Sequence, residues 1–444
     1  LLRGNVVMLL PILVAWPAGA TWSSRGPKAA APLAALTLAG VLSILGPVAA
    51  RNYAVGGVLS LTTSGAGTNV YGGNNPDNPY GRATEFDWVR GIPAYEAGDW
   101  QREAERRLGR ELDAGQVSSY WLGEALRSMG RDPLLHATIF WRKLRLTLGS
   151  YEVPDNHGLD WAGLHVPILA PWFPGRPLWG TLGLAGVVLF CLRCARRRGG
   201  SAVALLWLLY LGTIVATVTS MRARLPLVLL TAPFAGGFVA AIAADPRADR
   251  RRWVERGAAL ALGALLTLAP VFSAEQRVED LDKRRYNHAV YLLQDGPSLE
   301  RAAEVVDGLL ERRSDSSRIQ TLAAELAMRQ AMGLQASDPA AARAGFESAR
   351  SRLDRVLAEP GVSPRQRFRA HTLAGALDNG LGDPVDAERH FRAAAEFDPT
   401  DREVGIGLAR ALLFQGRRDA AVETLEAILA RGPDAEVEAI LRGL

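Results

Sequence analysis

The segment Met221-Arg222-Ala223-Arg224-Leu225-Pro226 sets two guanidinium groups two positions apart between apolar runs. A guanidinium is a planar fork of donors that matches phosphate oxygens, and at the edge of a bilayer a lipid-linked phosphate or pyrophosphate is its natural partner. An arginine snorkelling from a helix end is the plainer account of the same residues. A second constellation lies upstream, where glycine and asparagine dominate Ser64 to Asn78. Asn69, Asn74 and Asn75 supply amide donors and acceptors of the kind that read sugar hydroxyls, and Tyr71 offers a flat apolar face. Arg51 opens the same polar segment and is a further candidate for the donor phosphate. The run lacks GxxxxGK[ST] and a strand–loop–helix context, so it is not a nucleotide phosphate loop. A turn-rich external loop without a ligand is the alternative.

These residues must be held by apolar elements. Six stretches have a length that can cross a bilayer, about 4–22, 29–49, 175–195, 202–220, 224–244 and 257–273. Arg25 and Lys28 follow the first. Arg196, Arg197 and Arg198 follow the third, and Arg247, Arg250, Arg251, Arg252 and Arg256 follow the fifth. Cytoplasmic loops are enriched in such residues, so these three loops alternate correctly and the long segment 51–172 falls on the opposite side with everything after residue 273. A loop of that length exceeds a connector and is a place for function. Trp161, Trp172, Phe173 and Trp179 fit an interfacial belt, and Leu134 to Leu148, which mixes leucine and aromatics with Arg142, Lys143 and Arg145, fits a helix on the membrane surface.

Composition separates two halves. Residues 1–273 carry 27 Lys/Arg against 17 Asp/Glu, and residues 274–444 carry 24 against 29, so the pI of 9.4 belongs to the first half. The basic residues sit at the ends of apolar runs, and no basic patch interleaved with aromatics points to nucleic acid. The cysteines, Cys191 and Cys194, close an apolar run with no second pair to complete a metal site, and read as inert helix-end thiols. His136, His157 and His165 show no metal spacing, and Glu85, Asp87, Glu152 and Asp155 lack the paired spacing of an acid/base couple.

Four features in order complete a pattern: Arg51-Asn52-Tyr53 after a span, Gly73-Asn74-Asn75-Pro76, the stretch from Trp141-Arg142-Lys143-Leu144 to Tyr151-Glu152-Val153-Pro154-Asp155-Asn156, and Arg222-Ala223-Arg224-Leu225-Pro226. Over roughly residues 1–273 it resembles the bacterial membrane glycosyltransferases of the protein O-mannosyltransferase and aminoarabinose-transferase type, which have the C-type fold. The resemblance implies inverting transfer of a sugar from a polyprenyl-phosphate donor to a protein or glycan acceptor on the outer face. It places the catalytic acid in an external loop near the N-terminus. That loop is not matched here, so the chain reads as the C-terminal part of such an enzyme. No cofactor motif is evident, and the resemblance leaves room for a divalent metal.

The tail has its own period. Gly382 pairs with Gly416, Ala387 with Ala421, Phe391 with Leu425 and Pro399 with Pro433, all 34 residues apart, which is the tetratricopeptide spacing. Segments 285–312 and 317–358 read as decayed repeats. The concave face of such a solenoid suits a partner peptide, while a rigid spacer or cap over the active face is the plainer role. The expected architecture is all-α: a polytopic transmembrane helical domain of about six spans with a large external loop, followed by a tetratricopeptide-like α-solenoid. Residues 1–50 hold two spans, 51–172 the extracytoplasmic loop domain, 173–273 four spans and 274–444 the repeats. The location is a bacterial inner membrane crossed several times, with membrane lipid as a partner and the repeats extracytoplasmic. A membrane-anchored repeat scaffold without catalysis and an O-antigen-ligase-like polymer transferase are the competing functions.

Overall fold

In a computed structural model of the chain, the structure describes residues 9–57, 61, 65–78, 81–82, 86–89, 93–151, 153, 175–194, 201–294 and 298–444. Every regular element among them is a helix. The chain divides into two compact units, one of Leu1–Phe86 and Gly91–Ser273, the other of Asp87–Arg90 and Ala274–Leu444.

The first unit contains α1 (Leu10–Arg25), α2 (Pro27–Gly56), α3 (Ala66–Gly73), α4 (Pro93–Leu108), α5 (Ala114–Arg131), α6 (Pro133–Leu148), α7 (Gly175–Cys194), α8 (Ser201–Ala216), α9 (Met221–Ala243) and α10 (Arg250–Leu268). Local chemistry sets the ends. Pro27 opens α2, and Gly57 closes it in the left-handed region, its N–H donating to the Tyr53 carbonyl. Arg51, Asn52 and Tyr53 thus belong to the last turns of α2. Asp113 and Gln116 form a reciprocal capping box on α5. Asp132 caps α6 by accepting from the Leu135 N–H, with Pro133 at its first position. Ser220 does the same for α9 through Ala223.

Small residues let α7 pack closely against α9 and α10. A Cβ added at Gly186 would lie 2.0 Å from the Phe234 carbonyl oxygen, and one at Gly263 2.6 Å from that of Thr181. Side chains that absent themselves in this way are how apolar helices associate when their surroundings are as apolar as they are. Trp207 on α8 donates to Thr231 on α9 at 2.8 Å, which gives its indole N–H a partner away from water.

The expectation of about six spans is corrected to two. Among the described residues, Pro27–Val55 and Arg222–Ala243 are long and apolar enough to cross a membrane, a test that a buried core helix or an N-terminal signal sequence also passes. The apolar parts of α7 and α8 are Pro177–Arg193 and Val203–Ala216, short of the roughly 20 residues a bilayer needs. Helix α1 is 16 residues long. Helix α10 gives its first two turns to Arg250, Arg251, Arg252, Glu255 and Arg256, which shortens its apolar part. In the two long helices most of the apolar window is not covered by protein, with 11% and 22% of it buried. Trp161, Trp172 and Phe173 of the expected belt, with Glu85, Glu152, Asp155, His157, His165 and Arg196 to Arg198, lie outside the described residues.

The second unit contains α11 (Ala274–Gln294), α12 (Leu299–Leu310), α13 (Ser317–Leu334), α14 (Pro339–Ala358), α15 (Pro364–Leu381), α16 (Pro384–Phe397), α17 (Arg402–Phe414), α18 (Arg418–Leu429) and α19 (Ala435–Gly443). Proline at the first position after a capping Asp or Ser starts α14, α15 and α16. Gly382 and Gly416 take φ of +80° and +76° between the paired helices, a conformation that costs glycine little. The 34-residue matches recur in the packing: Ala387 and Ala421 are fully buried, and Phe391 and Leu425 sit in the cores beside them. Gly375 and Gly407 make room for the Phe391 ring, where added Cβ atoms would stand 2.9 and 2.2 Å away. The stretches read as decayed repeats form the pairs α11–α12 and α13–α14.

Candidate functional site

The polar candidates of the first unit gather where α3, α6 and the α8–α9 linker meet. Short turns around asparagine begin the site. Asn74 Nδ2 donates to the carbonyls of Val70 and Ala216, both at 2.8 Å. Asn75 Nδ2 donates to Tyr71 and Gly72, and its Oδ1 accepts from the Asp77 N–H at 3.0 Å. Asn78 Nδ2 donates to the carbonyls of Gly73 and Arg82, and its Oδ1 accepts from the Gly81 N–H, each at 2.8 Å. All three side chains are buried. Asparagine suits this work because one amide presents both donors and acceptors to a turning backbone.

Lys143 on α6 closes the site. Its Nζ donates to Asn74 Oδ1 and to the Thr217 carbonyl, both at 2.6 Å, and lies 5.6 Å from the centre of the Phe140 ring. The side chain is fully buried. Burial pushes its amine from 10.5 down to about 7, since the charged form loses its hydration. Two acceptors match the two N–H groups of the neutral amine. Gly73 is needed at the crossing, where a Cβ would lie 2.0 Å from the Thr217 oxygen and 3.0 Å from Lys143 Nζ.

The linker from Thr217 to Ser220 leads into α9 and the two arginines. Arg224 donates to the carbonyls of Tyr151 and Gly149 at 2.6 and 2.5 Å, tying α9 to the end of α6. Arg222 is exposed on the first turn of α9, where the unpaired helix N–H groups add partial positive charge.

The structure therefore brings Asn74, Asn75 and Arg224 into one framework with Lys143 and leaves Arg222 on its surface. Tyr71 is buried in an aromatic cluster, 4.8 Å from the Trp121 ring centre and stacked on Phe86 at 5.7 Å. Trp100 and Trp121 complete the cluster, with the Arg107 guanidinium 5.0 Å from the Trp121 ring centre. Asn69 on α3 and Arg51 on α2 are exposed. The amides of Asn74 and Asn75 and the ring of Tyr71, read from sequence as facing a sugar or acceptor, are committed to protein neighbours here. Among the described residues no group of three His, Cys, Asp or Glu side chains is placed to hold a metal ion.

Sequence reasoning took Lys143 as one charge on a surface helix and passed over Asn78. The Asn74, Asn75 and Asn78 spacing is a turn signal that could have found the second. Nothing local marks Lys143 as buried, because its acceptors come from residues 69 and 74 positions away.

Comparison with known families matches residues 380–444 to the tetratricopeptide repeat. No curated protein and no solved structure matches the chain. The match covers α16 to α19, where the 34-residue period is clearest, and repeats of this class commonly mediate protein–protein interaction.

Proposed function

We propose that the chain belongs to a membrane glycosyltransferase that moves a sugar from a polyprenyl-phosphate donor to an extracytoplasmic acceptor. The motif resemblance suggests the reaction. The observation that carries the reading is the position of Arg222, exposed at the start of a helix long enough to cross a bilayer. Arg222 is the donor-phosphate contact in this reading. Arg224, Lys143, Asn74 and Asn75 fix the backbone that presents it. Asn69, exposed on α3, and Arg51 are the remaining groups for acceptor or donor. The membrane unit is multi-pass, and its loop lies on the extracytoplasmic side.

The test is transfer from a synthetic polyprenyl-phosphate sugar by the complete enzyme in vesicles. Arg222→Ala is expected to lower turnover at least a hundredfold, on the order of 3 kcal/mol, with Arg222→Lys recovering part of it. Unchanged turnover with normal insertion removes Arg222 from the donor site.

A second reading, a membrane-anchored scaffold without catalysis, is favoured by the repeat match at 380–444. Removing residues 274–444 separates the two. A scaffold loses partner recovery and has no transfer to lose.

A further inference from the structure

A second buried polar chain lies in the repeat unit, away from the site above. Arg350 on α14 contacts Asp378 Oδ1 on α15. Asp378 is fully buried, and its other oxygen has no hydrogen-bond partner. His390 Nε2 on α16 stands 3.7 Å from that oxygen. His390 Nδ1 and His371 Nδ1 on α15 are 3.0 Å apart. A contact between two imidazole nitrogens at that distance is a hydrogen bond only while one of them is bare. The arrangement fits a His371 Nδ1–H donating to His390 Nδ1, with the His390 Nε2–H turned toward the unpartnered carboxylate oxygen.

We propose that Arg350, Asp378, His390 and His371 form a proton-sensitive latch that holds α14, α15 and α16 together and loosens when the medium turns acid. Once both rings are protonated, two N–H groups face each other at 3.0 Å and the hydrogen bond is lost. The surroundings resist that charge. Burial lowers the proton affinity of both rings. His371, Arg389 and Arg350 lower it further for His390, against Asp386, and bring it to about 4. Arg367 and Arg389 lower it for His371, against Glu396. An unfolded histidine binds its proton near 6.5, so between about 6.5 and 4 the open state holds more protons than the closed one. Stability present above that window is therefore lost as pH falls through it. The latch is independent of the proposed activity.

Hydrogen exchange of the full chain in detergent micelles, corrected for intrinsic exchange rates, tests the latch. At pH 5 the opening equilibrium of α15 and α16 is expected to be roughly thirtyfold greater than at pH 8 for His390 alone. Helix α12 is expected to change little. The double variant His371→Asn/His390→Asn is expected to remove the pH difference. If that variant fails to fold, the contrast between α15–α16 and α12 in the wild type still decides. An equal change in α12, or none in α15 and α16, overturns the latch.

Discussion

Lys143 in the first unit and the arginines of the second keep opposite company. In the first, Lys143 meets only neutral oxygens, an amide and a carbonyl, and burial drives it toward the uncharged amine. In the second, arginines surround carboxylates: Glu325 takes Arg329 at 3.1 Å and Arg369 at 2.5 Å, and Asp282 takes Arg312 at 3.0 Å. The difference follows from what each charge loses on burial. A cation paired with an anion keeps its charge and its geometry stays adjustable. A lone amine among neutral acceptors holds its proton less tightly and is placed by the number and direction of those acceptors. The first arrangement suits a fixed framework, and the second suits an array whose repeats meet along partly exposed edges.

The contrast can be broken at the framework with the largest effect. Gly73→Ala forces a methyl group onto the Thr217 carbonyl, and a loss on the order of 4 kcal/mol is expected. It would appear as a collapse of detergent-solubilised thermal stability, and a near-wild-type midpoint would mean that α3 and the linker do not cross as described. Lys143→Met sharpens the comparison. It leaves Asn74 Oδ1 and the Thr217 carbonyl without a donor, and about 2 kcal/mol is expected to be lost. The pH dependence has a definite sign. The folded amine binds its proton near 7 and the unfolded one near 10.5, so the unfolded state holds more protons between them and wild-type stability should rise with pH across that window. The methionine variant should lack that rise, as measured by unfolding midpoints at pH 7 and 9. The smallest effect belongs to the repeats. Arg402 bonds to Asp434 and Glu436, yet the guanidinium is 39% exposed and screened by water. Arg402→Ala should shift the melting of the repeat unit by no more than about 2 °C, and a larger drop would mean that this pair does more than an exposed ion pair normally does.

Helix content and the repeat period were legible because each rests on local signals. The Ala387/Ala421 and Phe391/Leu425 pairs are a spacing, and the spacing is the packing. The number of spans was not legible. Hydropathy counts apolar residues but not where a helix ends, and among the described residues the apolar parts of α7 and α8 are Pro177–Arg193 and Val203–Ala216. In the site, the two arginines were visible as a pair. Their unlike environments were not, because the carbonyls that hold Arg224 belong to Gly149 and Tyr151, more than seventy positions away. The same distance in sequence hid Lys143. The asparagines were recognised by type and given an outward role; Asn75 and Asn78 instead bond to neighbouring turns, while Asn74 also meets Ala216 and Lys143, far away in sequence.

The central claim is that Arg222 meets a lipid phosphate while Arg224 builds the backbone that presents it. Polyprenyl-phosphate binding to the complete protein in nanodiscs, measured for the wild type and for Arg222→Ala, tests this most directly. A loss of affinity of at least tenfold with an unchanged melting midpoint is the predicted result, and equal affinity of the two proteins would contradict it.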